Sequence, residues 1–473
     1  MRGQCHSAVW LLVLILLPAN SKSGEPLKLH PENPRYFMFR EKPALLITSG
    51  EHYGAVLNLD FDYVPYLDEL KARGFNLTRL FCGTYREIPG SFGIRDNTLA
   101  PLPNRFIAPW ARSDQPGYFD GGNKFDLTKW DDAFFKRLKD FASQASSRGV
   151  ILNLSFFTPN YEEKLWLANP MNSNNNINGV GNVPFKESYT LKHANLLEVQ
   201  IALVKKIVSE LNEYDNVYYE ICNEPYFGGV TLDWQAKIAA TIVEAEAPLP
   251  NKHLIAQNIA NGTAKIGNPN TAVSIFHFHY AHPPDAIATN RDLKKPITFD
   301  ETGFRGSLEG PYRTEAWDFI IAGGSGYDNL DYSFTAKDSK GGAPISAPGT
   351  GGNTFRSQLK ILKDFIEGFD FIRMEPKADL VKSGVPKGAS VRVLGESGKA
   401  YALFILSGDK GPKSLESLSL EVEMPAGKYR AEWINTLSGA IDKAEEFEHT
   451  GGNKTLVSPH YSGEAALRIL LSK

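Results

Sequence analysis

Two apolar runs in this sequence each stop on a glutamate. The first, Val217 to Pro225 (VYYEICNEP), carries Asn223 and Glu224 at its end, and Pro225 prevents the strand from continuing. The second, Pro296 to Gly303 (PITFDETG), reaches Glu301 before Gly303 frees the backbone. As parallel strands of one barrel, the two runs would aim both glutamates at the same mouth, where catalytic groups of such barrels sit. Two carboxyl groups across one cavity are what cleavage of a glycosidic bond requires: one protonates the departing oxygen, and the other attacks or holds the cationic anomeric carbon. Other candidates fall on or near the ends of similar runs. Arg79 closes Asn76-Leu77-Thr78-Arg79, and a cation beside Glu301 would keep it ionised. His277 and His279 stand two apart in Phe276–Tyr280, hence on one strand face, and Glu51 and His52 follow the run ending at Ser49 as candidates for substrate contact. A His-x-His pair without a third ligand, and the absence of paired Cys or His spacings, call for neither a metal nor a cofactor.

These groups need a scaffold of alternating strands and helices. Strand-like runs lie at Ala44–Ser49, Asn76–Cys82, Val150–Phe157, Val217–Cys222, His253–Ile259, Val273–Tyr280, Pro296–Asp300 and Gly326–Phe334. Several are almost continuously apolar, as parallel strands covered by helices are. Helical patterns over Asp60–Arg73 and Lys129–Arg148 end at Gly74 and Gly149, where a helix C-terminus favours glycine. Further helices are expected over His193–Tyr214, Asp233–Ala247 and Thr314–Ala322. The alternation predicts a (β/α)8 barrel over residues 24–370. Two long connections, Gly83–Asn123 with Trp110 and Thr158–Tyr189 with Trp166, would lie at the mouth. The tract Asn172–Asn176 in the second reads either as a solvated surface loop or as part of that mouth. From about Phe369 short alternating strands replace helices, at Ser390–Leu394, Ala400–Ser407, Leu418–Glu423, Gly427–Asn435 and Ala465–Leu471. A small β-sandwich over residues 371–473 is expected, with a linker near Gly368–Pro386.

Length and composition fit this division. The 473 residues are 42% hydrophobic and 22% charged, which excludes a disordered or coiled-coil chain. Net charge is −3 with no basic run, so a nucleic-acid partner is not expected. Arg2, the apolar Ala8–Leu17 and the small residues after Pro18 form a secretory signal over residues 1–23, too short to span a bilayer. Its removal takes Arg2 and Lys22 but no acid, leaving −5 on a secreted or periplasmic chain with no membrane attachment. Cys5 would leave with it, and Cys82 and Cys222 sit in apolar runs as small hydrophobes.

Asn223-Glu224-Pro225 after the fourth run and Glu301 after the seventh resemble the retaining glycoside hydrolases of clan A, in the style of family five, the cellulase and mannanase family. The likeness covers roughly Ala44–Phe334. It implies a secreted glycosidase with a carbohydrate substrate, in which Glu224 is the acid/base, Glu301 the nucleophile and Asn223 a partner of the sugar 2-hydroxyl. It also implies that Arg79 is the second-strand arginine, that His277 matches a sixth-strand histidine, and that His279 stands where that clan often has tyrosine. Three positions depart from the pattern. Asn153–Phe157 has no third-strand histidine, Thr302-Gly303-Phe304 has no tryptophan after the nucleophile, and Tyr332 or Phe334 replaces the eighth-strand tryptophan. Trp110, Trp166, Tyr226 and Trp234 are candidates for stacking on sugar faces. The terminal strands, above all Gly427–Asn435, resemble the collagen-binding-type β domains appended to bacterial glycosidases. A non-catalytic carbohydrate binder and a transglycosylase are the competing readings. The paired glutamates and Arg79 oppose the first, and nothing in the sequence separates the second from hydrolysis.

Overall fold

The computed structural model describes residues 24–345, 347–408, 417–461 and 463–472; the signal segment expected over 1–23 lies outside the described residues. Eight parallel strands form the barrel: β1 Leu46–Gly50, β2 Leu77–Phe81, β3 Ile151–Ser155, β4 Val217–Glu220, β5 Ile255–Asn261, β6 Ile275–His279, β7 Ile297–Glu301 and β8 Gly326–Leu330. Neighbours pair in sequence order, and β8 returns to β1. The seam between β1 and β2 is closed differently. The Asn76 side chain accepts from the Ile47 N–H (3.1 Å) and donates to the Leu45 carbonyl (3.0 Å), so one amide stands in for ladder bonds.

Strand alternation sorts the side chains by depth and face. Outward residues such as Ile47, Leu80, Leu152, Leu154, Phe276 and Phe299 pack under the helices in the main core. Inside, the lowest layer is apolar: Leu46, Leu77, Ile151, Tyr218, Ala256 and Ile275. The short antiparallel strands Lys28–Leu29, Phe37–Phe39 and Lys42–Ala44 lie against it, with Leu27, Phe37 and Ala44 sharing its cluster. One step up, the interior turns polar with Thr48, Arg79, Asn153, Glu220, Asn258, His277 and Asp328, all buried. The barrel mouth stands on this layer.

The helices begin and end as their residues dictate. Asp62 and Asp131 cap Tyr63–Ala72 and Asp132–Ser147 by accepting backbone N–H bonds. Gly74 and Gly149, both at φ 73°, end them in the left-handed region that glycine adopts without strain. The further long helices are Ala194–Leu211, Leu232–Glu246, Glu309–Ile321 and Gly352–Glu367. Among the described residues, no helix is long and apolar enough to cross a membrane.

Three segments differ from the sequence reading. The connection after β2 is not all loop, because Trp110–Pro116 pairs with Asn123–Trp130 as an antiparallel ribbon. The Asn172–Asn176 tract is mostly buried, with Asn174 exposed, and does not lie in the mouth. Asn175 donates to the carbonyls of Leu167 (2.7 Å) and Asn169 (2.8 Å), and Asn176 to those of Asn172 (2.8 Å) and Val180 (3.0 Å), so buried amides replace the missing ladder. The expected linker is structured too, with Glu375–Pro376 pairing Ser390–Glu396 and Val381–Ser383 pairing Ser419–Met424.

The C-terminal region is a β-sandwich of a six-stranded and a three-stranded antiparallel sheet. Tyr401, Leu403, Leu420, Val422, Tyr429, Leu467 and Ile469 fill its interior. The other face of the larger sheet joins the barrel core through Leu394, Ala402, Phe404 and Ala466. Trp317 stacks on Phe404 (centroids 5.6 Å apart), Arg392 bonds Asp318 (2.9 Å) and Arg313 bonds Glu464 (2.6 Å).

Candidate active site

Glu224 stands just beyond β4 with φ at 37°, a left-handed conformation that costs a non-glycine residue about 1–2 kcal/mol. That kink lets both Asn223 and Glu224 line the cleft, which a regular strand forbids to consecutive residues. At the end of β7 an irregular register opposite Phe278 and His279 has the corresponding effect. Asp300 stays inside the barrel and Glu301 reaches the cleft, which has a volume of about 460 Å³.

Arg79, fully buried, ties the two strand ends together. It grips Glu220 with two bonds (2.6 and 3.0 Å), donates to Asn223 Oδ1 (2.6 Å), and reaches Glu301 Oε2 (3.2 Å) and the Tyr53 hydroxyl (3.1 Å). Glu301 also accepts from the hydroxyls of Tyr53 and Tyr280, each at 2.9 Å. Burial acts to raise the Glu301 pKa, but the charge and hydrogen bond of His279, then Arg79 and the Tyr53 hydroxyl, outweigh it and hold the carboxyl well below the usual range. Burial also pushes the neighbouring Asp300 up, to about 7, against the pull of Arg79 and His279.

His279 stands between the two glutamates. Its Nδ1 is 3.2 Å from Glu224 Oε1 and 3.4 Å from Glu301 Oε1, while Nε2 faces Asp300 Oδ1 at 3.4 Å. Burial opposes its charge, yet Glu301 and Asp300 raise its pKa to about 10, so it is an imidazolium at neutral pH. One oxygen of Glu224 and one of Glu301 lie within 4.8 Å of each other and of this ring. Glu224 further accepts from the hydroxyls of Tyr161 (2.7 Å) and Tyr226 (3.2 Å). A carboxylate pair bridged by a cation and flanked by phenols can divide labour, one member poised as a nucleophile and the other in contact with proton donors.

The remaining residues singled out in the sequence separate into groups. Asn223, beside its bond to Arg79, donates to the Tyr161 hydroxyl (2.8 Å), and His52 lines the cleft 3.4 Å from Glu87. Tyr332 is buried next to the His52 and Phe304 rings, at centroid distances of 6.0 and 6.4 Å. His277 sits a layer lower, against Thr298 and Asp300. Burial, Arg79 and His279 drive its pKa well down, so it is neutral. Glu51 turns away from the cleft to accept the N–H groups of Gly54 (3.1 Å) and Ala55 (2.9 Å). Trp110 and Trp166 do not reach the cleft: the first stacks on Trp130 (6.5 Å), and the second donates to the Val183 carbonyl (3.0 Å), because both long connections fold back on cores of their own. Trp234 is likewise buried, bonding Gln200.

Sequence reading placed Tyr53 at the mouth beside Glu51 and His52, where it does line the cleft, but missed Tyr161, Tyr280, Glu220 and Asp300. Two of them had a visible signal. Glu220 is a lone acid inside the apolar run Val217–Cys222, and Asp300 precedes Glu301 directly.

Glu51 gives a stability test separate from any reaction. Burial raises its pKa from 4.5 to about 7 despite its hydrogen bonds to Thr98 and the Ala55 and Gly54 backbone. A raised acid favours folding fully only below its unfolded value, and that contribution disappears as pH rises through 7. Unfolding of the wild type is therefore expected to lose about 3 kcal/mol between pH 4.5 and 7.5 that Glu51→Gln does not lose. Parallel pH profiles of the two proteins in urea titrations would contradict this assignment.

Residues 97–231 match the model of a domain of unknown function, DUF6298. No curated protein sequence matches the chain. By structure it is similar to a provisionally assigned glycoside hydrolase from Bacteroides vulgatus, at 16% identity and a TM-score of 0.68 over 96% of this chain and 84% of that one. A glycoside hydrolase family 5 protein from the same organism is similar at 14% identity and a TM-score of 0.63, over 96% and 95% of the two chains. The fold is shared with solved glycoside hydrolases. A family 5 mannosidase from Rhizomucor miehei is similar at 13% identity and a TM-score of 0.51, over 73% of this chain and 98% of that one. The match to the first two spans nearly the whole chain, barrel and sandwich together.

Proposed function

We propose that the protein is a secreted retaining glycoside hydrolase that cleaves a β-glycosidic bond through Glu224 and Glu301. The observation that carries this reading is the approach of the two carboxyl groups, with one oxygen of each within 4.8 Å. Retaining enzymes hold theirs about 5–5.5 Å apart, whereas inverting enzymes need about 6.5–9.5 Å to seat a water between carboxyl and sugar. The ionised, clamped Glu301 attacks the anomeric carbon and forms a glycosyl ester, while Glu224 gives its proton to the departing oxygen. Glu224 then takes a proton from water, the resulting hydroxide displaces Glu301 from the anomeric carbon, and both carboxyls return to their starting states. On this reading Asn223, held by Arg79 and Tyr161, meets the sugar 2-hydroxyl.

Incubation with 2-deoxy-2-fluoro β-glycosides bearing a good leaving group should label Glu301 stoichiometrically, read by peptide mass spectrometry. Glu224→Ala should slow glycosides with poor leaving groups by roughly 10²–10⁴-fold, the usual contribution of a positioned proton donor. It should affect dinitrophenyl glycosides far less, and azide should restore part of the rate as a glycosyl azide of retained configuration. Labelling at another residue, or a variant equally active on both leaving groups, would overturn the assignment.

A further inference from the structure

Glu87 is an acid of the catalytic cleft that the reaction above does not use. It lines the cleft from the long connection after β2 and is 3% exposed. A buried carboxylate is costly unless cations and hydrogen bonds offset it. Among the described residues no lysine or arginine pairs with the Glu87 side chain, whose ion-pair partner is His52. The neighbouring Arg86 turns its guanidinium to Asp120 (3.4 Å) and the Pro101 carbonyl (3.0 Å). Oε2 of Glu87 accepts from the Asn97 amide. Oε1 faces its two donors at long range, the Tyr85 hydroxyl at 3.3 Å and His52 Nε2 at 3.4 Å. Close bonds run to about 3.0 Å for O–H donors and about 3.2 Å for N–H donors. An ionised carboxylate offers about four acceptor positions, so Oε1 keeps room for a closer donor.

This wall stands where the transferred sugar must lie. Across the eight-stranded ring from β4 is β8, with β1 beside it. His52 follows β1, with its ring 5.5 Å from Tyr53 and 6.0 Å from Tyr332, which follows β8, and the Tyr53 hydroxyl holds Glu301. On the other side Tyr226 and Asn261, at the ends of β4 and β5, bond each other beside Glu224. On the reading above, on which this inference rests, the departing oxygen faces Glu224, so the transferred sugar extends toward His52 and Glu87, and Asn223 takes its 2-hydroxyl. We infer that Glu87 is a specificity-determining residue: its Oε1 accepts a hydrogen bond from the hydroxyl at C3, C4 or C6 of the sugar that is transferred to Glu301.

The test is a double-mutant cycle between protein and sugar. Full-length wild type and Glu87→Gln are assayed on dinitrophenyl β-glucosides, β-mannosides and β-galactosides and, for the accepted sugar, on its 3-, 4- and 6-deoxy analogues. One analogue should lose roughly 10- to 150-fold in wild-type kcat/KM, the worth of a hydrogen bond to a charged group. In Glu87→Gln the same analogue should lose less than about fivefold relative to its parent, with the other two unchanged from wild type. Deoxygenation alters the lability of the glycosidic bond equally for both proteins and cancels in the ratio. A merely structural role for Glu87 would lower all substrates together. Glu87→Asp, which withdraws the charge by one methylene, takes the place of Glu87→Gln should that protein not fold, and must likewise shrink the loss. A wild-type series flat within about threefold, or the same pattern in wild type and variant, would overturn the inference.

Calorimetric binding of the methyl glycosides and their deoxy analogues to Glu301→Gln separates the two readings. Affinity that depends on one hydroxyl, and ceases to when Glu87→Gln is added, leaves the Glu87 contact standing even if the wild type turns nothing over, which sinks the hydrolase. Turnover with a flat series sinks the contact alone, and neither turnover nor binding across the panel sinks both.

Discussion

Glu301→Gln is expected to lower turnover of any accepted glycoside by about 10⁴-fold or more, because the amide cannot form the glycosyl ester. The substitution is nearly isosteric. Gln can still accept from Tyr53 or Tyr280, but it removes the charge that sustains the His279 imidazolium and faces Arg79. His279 should then lose its proton at a lower pH than in the wild type, since Glu301 leads the groups that raise it. Two readouts follow: kcat on an activated aryl glycoside, and the pH at which the His279 ring titrates by heteronuclear NMR. A Glu301→Gln protein with near wild-type kcat would exclude Glu301 as nucleophile. An unchanged titration would show that the bridging role of His279 is wrong.

The second large effect concerns Arg79. Its fork meets Glu220, Asn223 and Glu301 at once, and Asp300 stands 3.5 Å away, so it is a cation facing three buried acids, two of which His279 also meets. Arg79→Met would leave those acids facing one another in a dry interior, and loss of one partner from a buried charge cluster typically costs about 3–5 kcal/mol. A drop of that size is expected in urea or thermal unfolding at pH 7.5, shrinking at acid pH as the carboxyls take up protons. Arg79→Lys keeps the charge but a single ammonium cannot span the same partners, so it should fold yet lose kcat about 10²-fold with little change in KM. An Arg79→Met protein as stable as the wild type would refute the clamp.

Much of the scaffold was legible in the sequence because its signals are local. Nearly continuous apolar runs such as Val150–Phe157 require helices on one side, and Gly74 and Gly149 mark helix ends through a backbone angle other residues avoid. The strands Ile441–His449 and Gly452–Val457, which belong to different sheets, went unread because little of them faces a core: Ile441 and Val457 are exposed, and the first strand carries charge on both sides. The helix Gly352–Glu367 does carry the 3.6-residue pattern, in Phe355, Leu359, Leu362 and Ile366, but it lies between the last barrel strand and the change to short strands. At the site, strand-end residues were readable because alternation and the barrel's polarity fix where they point. Tyr161 comes from a long connection whose path depends on packing far away in sequence, and Trp110 and Trp166 lie in such connections too. An aromatic residue there gives no sign of whether it will face a ligand or fill a local core.

The contact between barrel and sandwich bears on how the chain can be divided. The helix Glu309–Ile321, which follows the strand carrying Glu301, turns Trp317 toward Phe404, and its Arg313 and Asp318 are held by Glu464 and Arg392. A chain cut near residue 370 would leave that indole face and two charged anchors bare to water. The C-terminal lobe thus buttresses the helix that follows the strand carrying Glu301, rather than hanging from the barrel as a detachable appendage.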